Sequence, residues 1–147
     1  MGRRSPFSYE RLEVYRTARE FSHLCGKLED SLPASKADVR DMLARESTNL
    51  IMKIARAAAE TRRQAFHTFR HARRSGEQCH SLLEGLRLTR LGDQARVTAG
   101  IELLERIEVG LTEIIDRIQK QLKIQPLPPL GTLEPEPLDD PDRGPEP

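Results

Sequence analysis

The stretch RRQAFHTFRHARRSGEQCHSLLEGLRLTRL, residues 62–91, decides the fold. Its apolar and small residues Ala65, Phe69, Ala72, Gly76, Cys79, Leu83 and Leu86 recur at spacings of 4, 3, 4, 3, 4 and 3, the a/d pattern of a long helix with one buried face. A strand would alternate with period two, which this segment does not do. Thr61 followed by Gln64 is a capping-box signature at its start, and Gly92 suits its C-cap.

Outward from this helix the same reading holds. Asp93 can start a further helix whose seam is Val97, Ile101, Leu104, Ile107, Leu111, Ile114, Ile118 and Leu122. Upstream, no Gly or Pro separates residues 36 and 75, and one helix through all of it would be far longer than helices in chains of this size. The capping box at Thr61 therefore places a turn at Ala57–Glu60, with a second helix before it carrying Val39, Leu43, Leu50, Ile54 and Ala57, and Ser35 with Asp38 as its cap. Before that, Val14, Ala18, Phe21, Cys25, Leu28 and Leu32 form the seam of a helix from about Tyr9 to Ser31, ended by Leu32-Pro33.

Four helices of about 22 to 30 residues are thus expected, each about 33 to 45 Å long at 1.5 Å per residue. Joined by short loops they make an all-α, up-down-up-down four-helix bundle over residues 9–123. Residues 1–8 are expected to be a flexible N-terminus, and residues 124–147 a disordered, Pro-rich, acidic tail.

Composition agrees. Eight of the ten prolines lie in residues 126–147, leaving only Pro6 and Pro33 before them, so nothing interrupts the helices. No Trp, two Tyr and four Phe argue against a sandwich or barrel. The net charge of +1 conceals a division: residues 36–96 carry 13 basic and 7 acidic groups (+6), whereas residues 126–147 carry 1 basic and 6 acidic groups (−5). The N-terminal MGRRSPFSYERLEV has no apolar run of signal-peptide length, Pro6 stands where a myristoylation motif wants Ser or Thr, and no run reaches 18 apolar residues. A cytoplasmic protein without a membrane partner is expected, with Cys25 and Cys79 as thiols.

The basic residues concentrate in the second and third helices. With Phe69 and Ala72 as a and d, Arg63, His67, Arg70, His71 and Arg74 fall at b, c and f, predicting one solvent-facing strip. Arg63 to Arg74 spans about 16 Å, enough for a few phosphates of one strand. Lys53, Arg56 and Arg62 extend it, giving seven basic residues and one acidic residue between positions 51 and 75. The competing reading is a merely solvated face, with Arg73 and Arg74 pairing with Glu77. No aromatic residue interleaves the outer face, so any nucleic-acid binding should tolerate sequence and depend on salt.

Other chemistry finds little support. His67 and His71 sit at i and i+4 but lack the glutamate of a zinc-protease helix, and Cys79 faces the expected core while they face outward. Cys79 and His80 are adjacent, hence about 100° apart on a helix, not paired as nucleophile and base. Neither an inward Glu-x-x-His set nor a Gly-rich phosphate loop occurs. No catalytic residue, metal or cofactor is expected. Small seam residues such as Ala18, Ala57 and Gly76 read as packing devices, and Glu108 and Arg90 as polar interruptions of apolar seams.

The stretch RESTNLIMKIARAAAETRRQAFHTFRHARRSGEQ, residues 45–78, resembles the bacterial four-helix-bundle proteins found in intervening sequences of large-subunit ribosomal RNA genes. Those proteins carry a motif like S-I-x-x-N-I-A-E-G, then F-x-x-F, then A-x-G-S. Ile54-Ala55 match the I-A, Phe66 and Phe69 the aromatic pair, and Ala72 and Ser75 the last element. Lys53 stands in place of the Asn, Arg56 of the Glu, Ala57 of the first glycine and Arg74 of the second. The resemblance covers about residues 7 to 120. It implies a non-enzymatic homo-oligomer, a pentamer in the related accessory variability determinant of diversity-generating retroelements, which associates with a reverse transcriptase and nucleic acid. The expected partner is RNA, DNA or a nucleoprotein such as a reverse transcriptase; the alternative is a protein-interaction adaptor using the basic face or the tail.

Overall fold

A computed structural model describes residue 9 and residues 12–122 of the chain; the expectations for the N-terminus 1–8 and the tail 124–147 lie outside the described residues. The fold is an all-α four-helix bundle: α1 (Glu13–Asp30), α2 (Ala37–Ala58), α3 (Arg62–Thr89) and α4 (Gln94–Leu122), with a 3-10 turn at Ala34–Lys36 between α1 and α2. Each helix packs on its neighbours in sequence, and α4 closes the ring against α1. This is the up-down-up-down arrangement that short connections dictate.

All six seam residues expected in α1, from Val14 to Leu32, are buried. They meet Leu43, Leu50, Ile54 and Ala57 of α2, Ala65, Phe69, Ala72, Cys79, Leu83 and Leu86 of α3, and Val97, Leu104, Ile107, Leu111 and Ile118 of α4. Aliphatic side chains fill most of this core, as a chain poor in aromatics requires. In α4 the buried face includes Gly100 and Ile115, with Ile101 and Ile114 only partly covered. A helix turns every 3.6 residues, so a strict seven-residue reading drifts around the cylinder and selects the neighbouring residue.

The turn at the α2–α3 junction is where the sequence placed it. The Gln64 N–H donates to the Thr61 hydroxyl at 3.3 Å, and the Thr61 N–H donates to the Gln64 side-chain oxygen at 3.4 Å, completing the capping box. Two other caps differ from expectation. Ser35 does not cap α2: Pro33, with φ −67°, starts the 3-10 turn by accepting the Lys36 N–H at 2.9 Å, and Lys36 becomes the uncapped N-cap. At the end of α3 the left-handed C-cap is Arg90 (φ 54°), with the Leu91 N–H bonded back to the Leu86 carbonyl at 3.0 Å; Gly92 (φ 77°) lies in the following loop. Arg90 is therefore a helix terminus and not an interruption of a seam.

The α3–α4 loop is fastened to the end of α1. The Asp93 N–H donates to the Ser31 hydroxyl at 2.9 Å, which itself donates to the Leu28 carbonyl at 2.6 Å. Asp93 also caps α4, accepting from the Ala95 and Arg96 N–H groups. Among the described residues no helix is long and apolar enough to cross a membrane.

Candidate nucleic-acid interface

The Lys53 ammonium of α2 donates to the Ser75 hydroxyl of α3 at 3.2 Å, joining the basic residues of the two helices into one surface. Lys53 is half-buried, and its pKa lies below the ordinary lysine value; burial is the main cause, Arg56 and Arg74 add to it, and Glu46 opposes it. Ser75 is 3% exposed, so its hydroxyl serves as an acceptor within the packing and is not presented to a substrate.

The remaining expected site residues divide into two groups. Arg56, Arg62, Arg63 and Arg74 are exposed. His67, Arg70 and His71 are half-buried, contrary to a uniformly solvent-facing strip. The cause is Phe66. At the e position it is only 3% exposed, which widens the buried arc of α3. The Arg70 guanidinium lies over its ring, 5.4 Å from the centroid, with Nη1 buried, and the His67 ring meets it edge-on at 5.3 Å. Burial of Phe66 is the feature that heptad reading missed; the F-x-x-F pairing was the available signal.

Charge balance sharpens the surface further. Glu60, the one acidic residue between positions 51 and 75, pairs with Arg56 at 3.4 Å and accepts the Thr68 hydroxyl at 2.6 Å. Arg73 turns away from the strip and donates to Thr112 of α4 at 3.2 Å, while Thr112 donates to Glu108 at 3.2 Å. Among the described residues, neither Arg73 nor Arg74 forms an ion pair with Glu77. Arg62, Arg63 and Arg74 are thus the cations this face offers outward without a carboxylate held against them among the described residues, with half-buried Lys53 beside them.

Elsewhere the surface has two grooves beside α4. One of about 840 Å³ runs between α1 and α4, lined by Leu12, Val14, Glu102, Arg106, Val109 and Ile114 among others. The second, about 440 Å³, lies between α3 and α4 beside Arg73, His80 and Glu108. Val109, 58% exposed, borders both. Among the described residues no three His, Cys, Asp or Glu side chains converge as metal ligands would. Cys25 and Cys79 are buried free thiols. Burial pushes the Cys79 thiol up to about 12, with Glu46 adding to the shift, and pushes the Cys25 thiol up as well, with Cys79 and Glu29 adding and Ser47 opposing. Neither is poised as a thiolate nucleophile at neutral pH.

No family model and no curated protein matches the chain.

Proposed function

We propose that the protein is a non-enzymatic, homo-oligomeric helical scaffold in the cytoplasm that binds nucleic acid, or a nucleoprotein such as a reverse transcriptase, through the basic surface of α2 and α3. The observation that carries this reading is the joined cation surface of Lys53, Arg62, Arg63 and Arg74, whose neighbouring Glu60 is engaged by Arg56 and Thr68. Such a surface neutralises phosphates in proportion to its cations and asks little of base sequence. The resemblance of residues 45–78 to bundle proteins of ribosomal RNA intervening sequences supports the same reading, and a pentamer is what that resemblance implies.

The test is a gel-shift titration with RNA and DNA at low and high salt, comparing the wild type with Arg62→Glu/Arg63→Glu/Arg74→Glu. Binding at low salt that the triple variant loses supports the reading. Absence of binding at low salt, or binding indifferent to the substitutions, overturns it. Light scattering on the same samples reads the subunit number.

A further inference from the structure

The Arg73–Thr112 hydrogen bond marks the register of α3 against α4. From Thr112, α4 continues ten residues to Leu122; from Arg73, antiparallel α3 extends eleven residues back to Arg62. Both distances are about 15 to 17 Å toward the same end of the bundle. The chain therefore leaves α4 level with Arg62 and Arg63.

Beyond Leu122 the sequence has the opposite charge. Residues 126–147 carry six carboxylates and one arginine, and all six carboxylates lie between Glu134 and Glu146. Glu134 is twelve residues beyond Leu122, a reach of about 37 Å at the rise of a proline-rich chain. Arg62 to Arg74 covers only about 18 Å along α3. A tether of that length, attached at the end of α4, is sufficient for the acidic segment to reach the whole cation surface.

We propose that the acidic segment Glu134–Glu146 docks on Lys53, Arg62, Arg63 and Arg74 of its own chain and competes there with polyanions. The docking rests on charge complementarity and on where α4 ends; only the competition rests on reading the surface as a nucleic-acid interface. Tethering sets an effective concentration in the millimolar range, so individually weak contacts suffice. A segment that occupies the surface about four-fifths of the time weakens a competitor about fivefold. The net charge of +1 is then a property of a self-neutralising chain, and a polyanion gains the full surface only by displacing the segment.

The experiment uses the full chain, with Glu134→Gln, Glu136→Gln, Asp139→Asn, Asp140→Asn, Asp142→Asn and Glu146→Gln combined in one variant. Backbone amide spectra of the ligand-free wild type and variant should differ at residues 62–74 as well as in the substituted segment. The difference should fade near 1 M salt, where screening acts over about 3 Å. It should also persist on dilution to a concentration at which light scattering reads a monomer, since the contact lies within one chain. An oligothymidylate of about 20 nucleotides should bind the variant about fivefold more tightly at low salt. Amide changes confined to the substituted segment overturn the docking, and changes lost on dilution overturn it in favour of a second copy's tail. Changes at 62–74 without oligonucleotide binding by either protein uphold the docking and refute the nucleic-acid reading.

Discussion

The Lys53 ammonium and the Ser75 hydroxyl meet at 3.2 Å across the α2–α3 interface, which holds a half-buried cation near two arginines of the same sign. The bond and the burial act in opposite directions. A hydrogen bond from a charged donor contributes about 1.5 to 3 kcal/mol, and the desolvation and the charges of Arg56 and Arg74 offset it. Lys53→Met is therefore expected to leave stability within about 1 kcal/mol of wild type at neutral pH. The pH dependence is sharper. The folded pKa of Lys53 is depressed below the ordinary value of 10.5, so between the two values the unfolded chain binds more protons and stability rises with pH. Below that window the penalty is fully present. Urea titrations should show wild type gaining on Lys53→Met as pH rises toward 10.5; a pH-independent difference contradicts the account.

Glu29, near the end of α1, shows the mirror case. Burial raises its pKa above the ordinary 4.5, Asp30 and Asp41 add to the shift, and Arg40 opposes it. The raised carboxylate costs stability when ionised, fully above its folded pKa, and the cost disappears as pH falls to 4.5 and below. Glu29→Gln should stabilise the chain at about pH 7 by less than about 1 kcal/mol, since the group is only partly buried. The gain should vanish in denaturation curves taken at about pH 4.

Gly100 brings the α4 backbone close to side chains of α1 and α3. A Cβ there would lie 2.9 Å from Leu83 Cδ1 and 3.2 Å from Leu24 Cδ2, and Leu83 is fully buried with little room to yield. Gly100→Ala should destabilise by about 1 to 2 kcal/mol, the overpacking exceeding the helix-propensity gain. Gly85, four residues before the end of α3 and with nothing within 4 Å of its Cβ position, should do the reverse. Gly85→Ala is expected to gain about 0.5 to 1 kcal/mol in thermal or urea unfolding.

The end of α3 carries an arginine in a conformation that glycine adopts without strain. Arg90 has φ 54°, and Arg90→Gly should stabilise by about 0.5 to 1 kcal/mol. Two residues on, Gly92 has φ 77°, and a Cβ would come within 3.1 to 3.3 Å of Leu32, Ser31 and Leu28. Gly92→Ala should therefore cost about 1 to 3 kcal/mol, and should loosen the Ser31–Asp93 bond that ties this loop to α1. Urea midpoints of the two single variants, moving in opposite directions, are the check.

Much of this fold is written in local spacing. The seam from Val14 to Leu32 is buried as read, because a period near 3.5 determines a helix face without knowledge of its partners. Thr61 and Gln64 announce the α2–α3 turn for the same reason: a capping box closes within four residues. Contacts between helices are another matter. Neither Lys53–Ser75 nor Arg73–Thr112 can be read from periodicity, since helix register depends on how whole surfaces interlock. The candidate surface shows both limits. Its residue types and their clustering are plain in the sequence, but the burial of Phe66, which draws Arg70 and His67 inward, is a tertiary event. The exposed cations are consequently fewer than the strip of eight that counting alone would offer.

That reduced set makes a quantitative prediction about salt. Each phosphate neutralised by a cation lowers the slope of log affinity against log salt by about 0.9 on duplex DNA and about 0.7 on a single strand. Arg62, Arg63 and Arg74 are exposed, so replacing them with Gln leaves the core and the Lys53–Ser75 bond in place. If each meets one phosphate, the triple variant should lose about 2.7 units of slope on duplex and about 2 on a single strand. Arg70→Gln should change the slope less than any of the three, because the Arg70 guanidinium lies over Phe66 with Nη1 buried. It should instead lower stability, through the lost cation–ring contact, by about 0.5 to 1 kcal/mol. Fluorescence titrations over a salt series, with urea unfolding of the same variants, separate the two effects. A triple variant with the wild-type slope would show that the nucleic acid, if bound, lies elsewhere on the bundle.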